Sequence, residues 1–301
     1  MTTRLHDDEP DIGPLIVSAL LQQQVPDLAG LRLDPLSNTG SDNALYRLGT
    51  DYVVRLPRFS DAARRLGVEL DWLPRLDGLS VSVPEVVHAG DPQDPFPFRW
   101  AVLRWLDGID AWDARQHDGW FGPDLGHHLA TVVWQLRRTA VADAPARQPG
   151  ERGGPLRGLD DRVRWWLERA DGLVDERAVL RLWQKCLEGA DDDVAPVLVH
   201  GDLIPGNLLM ASGRLAAVLD WGGLGAGDPA QDLDPAWSVL REAGAAAFCE
   251  DLDVDEASLL RACGFALEQA VGGVIYYTPR RHPLAAVMQR TLERLLSGRW
   301  T

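Results

Sequence analysis

The sequence predicts an α+β fold in two lobes, a β-rich N-terminal lobe followed by a mostly helical C-terminal lobe. Two patterns carry this prediction: short runs of β-branched and apolar residues fill the N-terminal third, and long amphipathic segments fill the rest. The chain has 301 residues, 46% hydrophobic and 25% charged, enough to bury a sizeable core without disulfides or metals. We assign residues 1–105 to the first lobe and residues 106–301 to the second. Two such lobes imply a cleft between them, where small ligands commonly bind.

The first lobe is predicted to contain a leading helix and then a β-β-β-α-β-β succession with an antiparallel sheet. The leading helix spans residues 11–24, where apolar side chains recur at helical spacing. Turn-forming residues fill positions 37–43, which predicts a hairpin loop between the first two strands. The strands are expected at 31–36, 44–48, 52–56, 84–89 and 98–106, and a second helix at 61–73.

After Asp107 the pattern changes to amphipathic helices, interrupted by one short apolar strand and a hairpin. The strand, Pro196–Val199, leads into a polar loop at His200–Asn207. A linker rich in proline, glycine and alanine, residues 142–158, is expected at the surface. From Pro229 onward the chain is predicted to be helical in at least three pieces. The other elements expected here are helices at 123–141, 158–170 and 175–189 and hairpin strands at 208–210 and 215–219.

Charge and cysteine content exclude several classes of protein. The chain has 30 basic and 45 acidic residues, a net charge of −15, whereas a nucleic-acid binder needs a clustered basic surface. No apolar run approaches the roughly 18 residues of a membrane span, and the polar start, Met1–Pro10, does not resemble a secretory signal. Three cysteines without metal-type spacing fit a reducing compartment. We therefore expect a cytoplasmic protein, a monomer or weak dimer, that binds neither nucleic acid nor membrane.

The residues suited to catalysis follow two short apolar strands. The first strand delivers Asp202 and, five residues later, Asn207, in the sequence H-G-D-L-I-P-G-N; Asp220 follows the other strand in A-V-L-D-W-G. Phosphoryl transfer needs this set, because one carboxylate accepts the proton of the attacking hydroxyl while an amide oxygen and a second carboxylate hold Mg²⁺. Each residue alone could serve in a turn, and His200 could be an ordinary buried histidine. The ordered set predicts the chemistry.

These motifs resemble those of the aminoglycoside phosphotransferase family, which also includes macrolide phosphotransferases. Residues 200–207 resemble its catalytic loop, D-W-G at 220–222 its metal-binding D-x-G, and G-D-P-A-Q-D-L at 227–233 the motif that follows. The resemblance covers nearly the whole chain, from the loop at Ser37 to the C-terminal helices. It implies a bilobal protein-kinase-like fold, with nucleotide binding in the first lobe and catalysis and acceptor binding in the second.

The resemblance also assigns a role to each matching position of the C-terminal lobe. Asp202 would be the catalytic aspartate, and Asn207 and Asp220 would bind Mg²⁺. Asp232 would brace the catalytic loop through backbone hydrogen bonds, which is a structural role. Asp228 is expected to cap the helix that follows it.

In the N-terminal lobe the resemblance implies a set of nucleotide-binding residues. Arg55, in Y-V-V-R-L-P, stands where the family places its phosphate-binding cation, a lysine in most kinases; the only lysine in this chain is Lys185. The planar arginine fork suits both phosphate and carboxylate, and the partner carboxylate would be Glu69. The alternative is an exposed strand arginine and a solvated helix glutamate. The other implied nucleotide contacts are the phosphate-covering residues Ser37, Thr39, Gly40 and Ser41 and the hinge residues Leu103, Arg104, Trp105 and Leu106.

Two features favour a small-molecule acceptor over a protein. Gly201 replaces the arginine that protein kinases have in H-R-D, and about eight residues separate Asp220 from Pro229, too few for an activation segment. The C-terminal helices, residues 229–301, would wall the acceptor pocket instead. Nine acidic residues against one arginine in residues 225–256 favour a cationic acceptor, with a solvated acidic surface as the alternative.

The sequence therefore predicts Mg²⁺-dependent transfer of the γ-phosphate of ATP or GTP to a hydroxyl of a small molecule. An aminoglycoside or macrolide antibiotic is the leading acceptor, with antibiotic resistance as the result. A metabolic kinase for an amino alcohol or sugar is one alternative, and a non-catalytic nucleotide-binding regulator is another. The sequence does not distinguish ATP from GTP or name the acceptor. Tryptophans that would face an apolar acceptor are Trp105, Trp112, Trp120 and Trp237.

Overall fold

The structure is a computed structural model, and it describes most of the chain in two compact units. The described residues are 9–36, 42–118, 121–191 and 193–298. The predicted phosphate-covering residues Ser37, Thr39, Gly40 and Ser41, together with Trp120, lie outside them. The first unit comprises the described residues up to 78 with 82–107 and 219–223, and the second comprises 79–81, 108–218 and the described residues from 224 onward.

An antiparallel sheet flanked by helices forms the first unit. In chain order its elements are α1 (Pro14–Gln24), β1 (Leu33–Pro35), β2 (Asn43–Leu48), β3 (Tyr52–Pro57), α2 (Ser60–Trp72), β4 (Val86–Gly90) and β5 (Trp100–Arg104). The five strands are ordered β1-β2-β3-β5-β4. The predicted succession of a helix and then β-β-β-α-β-β is therefore present.

Strand β3 is buried on both faces, and this determines where Arg55 points. Alternate residues of a strand face opposite sides. Val54 and Leu56 pack in a core with α1, whereas Val53 packs against Leu66 of α2 in a second core. Arg55 shares the side of Val53, so its guanidinium is directed towards α2.

Helices dominate the second unit. Its helices are α3 (Ala111–Asp118), α4 (Pro123–Arg137), α5 (Asp160–Leu167), α6 (Glu176–Glu188), α7 (Pro235–Ser238), α8 (Glu242–Asp251), α9 (Glu256–Tyr277) and α10 (Leu284–Leu296). Its strands are β6 (Ile109–Asp110), β7 (Val197–Val199), β8 (Leu208–Ala211), β9 (Arg214–Val218) and β10 (Gly225–Gly227). Strand β8 pairs with β6 and β9, and β7 pairs with β10, all antiparallel. The predicted α+β class is confirmed.

The linker at residues 142–158 is not simply a surface loop. Ala226 of β10 exchanges backbone hydrogen bonds of 2.9 Å with Pro145 and Arg147, and Gly153 is buried. Pro145 is exposed, as expected for a surface loop, whereas the expectation is wrong for Gly153, because small side chains let this part of the linker approach β10 closely.

Helix α9 is the longest described helix, with 22 residues, and it packs against α5, α6 and α10. It also packs against a 3₁₀ turn, Pro229–Leu233. Its inward face is mostly apolar but includes Arg261 and Glu268, both buried. None of the helices in the described ranges is long and apolar enough to span a membrane.

Candidate active site

Arg55 lies at the centre of a buried polar cluster in the first unit. Its Nη1 lies 2.7 Å from Oε2 of Glu69, and its Nη2 lies 2.6 Å from Oδ1 of Asp220. The Arg55 side chain is 10% exposed and that of Glu69 is fully buried. The predicted pair is therefore present, and the alternative of two solvated side chains is wrong. Asp220 adds a second carboxylate to the same guanidinium.

Asn43 is a further member of this cluster. With its amide oxygen turned towards the guanidinium, Oδ1 accepts hydrogen bonds from Nη2 of Arg55 at 3.0 Å and from Nε at 3.1 Å. Asn43 was expected in the hairpin loop, but it begins β2. An Nε–H is a donor that arginine has and lysine lacks. Asn43 therefore complements the arginine that replaces the usual lysine.

The electrostatics of the cluster keep Arg55 cationic. Burial alone would lower the pKa of Arg55, but the charges of Asp220 and Glu69 outweigh burial and raise it. Burial raises the pKa of Glu69, with Arg55 opposing that rise and Asp220 adding to it. One guanidinium thus faces two carboxylates, an arrangement that a further cation would stabilise.

A tight turn after β9 presents Asp220. Its φ of +59° lies in the left-handed region, which aspartate tolerates better than bulkier residues. The following 3₁₀ turn, Trp221–Gly223, packs on α2. A Cβ at Gly222 would lie 3.0 Å from Cβ of Arg65 and 3.2 Å from its carbonyl oxygen, which explains the glycine of the D-x-G motif. The Asp220 side chain remains 39% exposed.

In the second unit, hydrogen bonds to Asp232 hold the loop that carries Asp202. The two carboxylate oxygens of Asp232 accept the backbone N–H groups of His200 at 2.7 Å and Gly201 at 2.8 Å, as expected for a structural brace. Gly201 has a φ of +83°, a conformation that would strain the arginine of H-R-D. His200 is fully buried, and its Nδ1 accepts the N–H of Asp202 at 3.2 Å.

Two side-chain amides hold the Asp202 carboxylate. Asn207 Nδ2 donates to Oδ2 of Asp202 at 3.0 Å and to its carbonyl oxygen at 2.8 Å. From α9, Gln269 Nε2 donates to the other carboxylate oxygen, Oδ1, at 2.8 Å. No local motif marks Gln269, which lies 67 positions along the chain from Asp202. Because the nitrogen of Asn207 is turned to Asp202, its Oδ1 is the atom left to face a cation.

Several residues that the sequence analysis considered for the acceptor pocket are buried and make contacts within the fold. Asp228 caps the 3₁₀ turn through the N–H of Ala230 at 2.9 Å, and its Oδ2 accepts from Nε of Arg261 at 2.7 Å. Asp234 is buried and accepts a serine hydroxyl at 2.5 Å. These acids are therefore not an acceptor-lining surface. Trp237 is fully buried, so the expectation that it faces an apolar acceptor is wrong.

The hinge residues differ in what their backbone groups can still bind. Leu103 is a buried core residue of β5. The N–H groups of Arg104 and Trp105 already donate to carbonyls of the first unit, at 2.9 Å and 2.7 Å. The backbone of Leu106 makes no hydrogen bond within the part of the chain that the structure describes. Among the predicted hinge residues, Leu106 is thus one whose backbone groups have no hydrogen-bond partner among the described residues.

Known proteins share both sequence and fold with this chain. An aminoglycoside 3'-phosphotransferase from Escherichia coli is 29% identical over 215 residues, which cover 66% of this chain and 74% of the relative. The GDP complex of wild-type aminoglycoside 2'-phosphotransferase-IIIa has a TM-score of 0.70 at 19% identity, covering 94% of this chain and 98% of that one. The macrolide 2'-phosphotransferase MphH from Brachybacterium faecium has a TM-score of 0.58 at 22% identity, with 94% and 98% covered.

These likenesses bear out the fold class and the family predicted from the motifs. The solved structures share the α+β kinase-like fold over nearly the whole chain. The model of the phosphotransferase enzyme family, APH, matches residues 35–265, a segment that contains every site residue predicted from the sequence. The prediction of an enzyme, a phosphotransferase, is confirmed. The chain belongs to the APH phosphotransferase enzyme family.

Proposed function

We propose that this chain transfers the γ-phosphate of ATP or GTP to a hydroxyl of an aminoglycoside or macrolide antibiotic. The observation that carries the proposal is the Asp202 carboxylate, held between the amides of Asn207 and Gln269 in a loop braced by Asp232. The name of the Escherichia coli relative favours an aminoglycoside over a macrolide. Resistance to that antibiotic would be the biological result.

Asp202 supplies the base. Its carboxylate orients the acceptor hydroxyl towards the γ-phosphate and accepts the hydroxyl proton as the new bond forms. The amides of Asn207 and Gln269 donate to its two different oxygens, which orients the carboxylate plane. Because the carboxylate is already oriented, little rearrangement precedes the transfer.

The nucleotide phosphates would be held by cationic and hard-oxygen groups. Arg55 is the phosphate-binding cation, in place of the usual lysine. The resemblance assigns Mg²⁺ to Asn207 and Asp220; each would offer the kind of oxygen that Mg²⁺ prefers, and phosphate and water would supply its other ligands. Bound Mg²⁺ would offset charge on the phosphoryl oxygens.

The base of the nucleotide would pair with the hinge. Leu106 has a backbone N–H and a C=O that no described residue bonds, whereas the N–H groups of Arg104 and Trp105 are already used. Backbone pairing accommodates adenine or guanine, so a comparison of ATP with GTP is part of the test. The predicted phosphate-covering residues Ser37, Thr39, Gly40 and Ser41 remain assigned to the triphosphate by resemblance.

The test is a coupled turnover assay with Mg²⁺ and either ATP or GTP. The acceptors are kanamycin, erythromycin, choline and glucose. We expect phosphorylation of kanamycin or erythromycin, and we expect Asp202→Asn to lower kcat by roughly 10²- to 10⁴-fold, the usual contribution of a general base. A thermal shift caused by nucleotide should persist in Asp202→Asn. The matched control is Asp161→Asn, an exposed aspartate in the first turn of α5.

Two outcomes would contradict the proposal. Near-wild-type turnover in Asp202→Asn would remove the catalytic assignment. Phosphorylation of choline or glucose alone, with no antibiotic turned over, would instead identify a metabolic kinase. The regulator hypothesis is tested in the same assay, because it requires nucleotide binding without hydrolysis under any divalent metal.

A further inference from the structure

We propose that Gln269 is a positioning residue that fixes the orientation of the Asp202 carboxylate for phosphoryl transfer. The inference rests on the proposed function and adds a residue outside the segment that matches the family model, which ends at residue 265. Its basis is the 2.8 Å hydrogen bond from Nε2 of Gln269 to Oδ1 of Asp202.

An aspartate side chain has considerable rotational freedom at its carboxylate. Rotation about χ2 of aspartate is broad, so one hydrogen bond leaves the plane of the carboxylate poorly defined. Asn207 donates to Oδ2 from within the loop itself. Gln269 donates to Oδ1 from a different element, α9. Two donors on two different oxygens fix the plane, and with it the lone pair that would meet the acceptor hydroxyl.

Buried ionic contacts anchor α9 close to Gln269. Arg261, two turns before Gln269, donates from Nε to Oδ2 of Asp228 at 2.7 Å. Glu268, the neighbour of Gln269, accepts from Nη2 of Arg162 at 2.9 Å. Arg261 and Glu268 are both buried. A donor carried by a helix with buried ionic anchors is held more rigidly than a donor on an exposed loop.

The side chain of Gln269 is a neutral hydrogen-bond donor. Glutamine donates an N–H without bringing a charge, so Asp202 keeps the negative charge that a proton acceptor needs. A lysine at this position would form an ion pair with Asp202 and compete with the incoming proton. A glutamate would present a second carboxylate to an anionic oxygen and repel it. A neutral donor therefore suits the role.

The test compares Gln269→Met and Gln269→Glu with the wild-type enzyme. Methionine keeps the length and packing but removes the donor, and glutamate keeps the shape but replaces the donor with an acceptor. The rates measured are kanamycin phosphorylation and the basal hydrolysis of Mg²⁺–ATP, in which water replaces the acceptor. Because misorientation of a catalytic group commonly reduces turnover by 10- to 100-fold, we expect kcat to fall by about that factor in Gln269→Met and further in Gln269→Glu. The KM for nucleotide should stay within about two-fold of wild type.

Gln289 provides the matched control. It is exposed on α10, where its amide contacts Glu293, and Gln289→Met and Gln289→Glu should leave kcat unchanged. A packing role for Gln269 predicts the opposite order, with the isosteric glutamate close to wild type. That order, or wild-type kcat in both Gln269 variants, would overturn the inference. If Gln269→Glu does not fold, the neutral Gln269→Met decides.

Asp202→Asn is measured in the same assay to separate the two proposals. Loss of turnover in Asp202→Asn together with full kcat in the Gln269 variants would refute the role of Gln269 and leave the proposed function standing. Turnover that survives in Asp202→Asn would refute the proposed function itself. A parallel drop in kcat and melting temperature in both Gln269 variants would assign Gln269 to the fold and overturn its positioning role.

Discussion

At the scale of single residues, the cation of the first unit is built for arginine. The guanidinium of Arg55 bonds to Glu69 and Asp220 through its terminal nitrogens and to Asn43 through Nε and Nη2. A lysine ammonium could reach one or two of these groups but not all three with the same geometry. Asn43 and Arg55 therefore form an interacting pair, although only the charged member could be predicted from sequence.

The pair predicts a measurable coupling. Asn43→Ala should lower the free energy of unfolding of the wild type by about 1–3 kcal/mol, because it removes a buried acceptor of charged donors. The same substitution should have a smaller effect in an Arg55→Lys background, since lysine has no Nε–H to lose its partner. Urea unfolding of the two single variants and the double variant gives the coupling energy. Equal losses in the two backgrounds would show that Asn43 acts independently of Arg55.

At the scale of elements, the loop that carries Asp202 depends on a partner that follows it in the chain. The loop after β7 donates the backbone N–H groups of His200 and Gly201 to the carboxylate of Asp232. Asp232 belongs to the 3₁₀ turn Pro229–Leu233. The family resemblance carried by the motif G-D-P-A-Q-D-L implied this brace. The same motif placed Asp228 at the cap of the turn, and the hydrogen bond to Ala230 confirms that placement.

Removal of the brace should affect stability as well as activity. In Asp232→Asn, one acceptor oxygen becomes an NH₂ group that faces a backbone N–H, so one buried donor loses its partner. We expect the free energy of unfolding to fall by about 2–3 kcal/mol, as for a hydrogen bond to a charged group. Urea denaturation measures the change, and the exposed Asp161→Asn serves as the control. Wild-type stability in Asp232→Asn would mean that the loop holds its shape without the brace.

Elements with clear periodicity could be predicted, and short elements of small residues could not. The strands and helices of the first unit lie within a few residues of their predicted positions. In contrast, β6 has two residues and β10 reads Gly-Ala-Gly, which carries no β-forming side chain. Strand β10 exists because β7 and the linker pair with it, and such pairing is not encoded in its own composition.

At the scale of the whole molecule, the net charge is a weaker guide to the acceptor than the position of each acidic residue. The chain carries 45 acidic residues, but Asp228, Asp232 and Asp234 are buried and serve the fold. Long-range contacts such as Gln269 to Asp202 could not be predicted either, because the amide and its partner are brought together only by the tertiary fold. The proposed catalytic residues could be named from the sequence, since they are grouped within two short motifs, and their catalytic roles stay a prediction.

One of these buried acids should make global stability depend on pH. Burial raises the pKa of Asp234 from an ordinary 3.8 to about 6, although the hydrogen bond from Ser238 opposes the rise. The folded state therefore binds a proton at Asp234 more tightly than the unfolded state does. The resulting stabilisation of the folded state is complete below about pH 4 and is lost as the pH rises through about 6. Asp234→Asn stays neutral and keeps an acceptor for Ser238.

The expected result is a pH-dependent difference between wild type and Asp234→Asn. From about pH 4 to about pH 7 the variant should gain stability relative to the wild type, by on the order of 3 kcal/mol, and the difference should then level off. Urea unfolding at several pH values measures it. A difference that stays constant across this range would show that Asp234 titrates normally in the folded protein.

The first unit is discontinuous in sequence, and this affects the order in which it can be completed during synthesis. Residues 219–223, including Asp220, belong to it but are translated only after residues 108–218 of the second unit. A nascent chain released to residue 107 would contain Arg55 and Glu69 but not the second carboxylate or the turn that packs on α2. The first unit can therefore not be expressed as one uninterrupted coding segment. A fusion that returns residues 219–223 through a designed linker would be required.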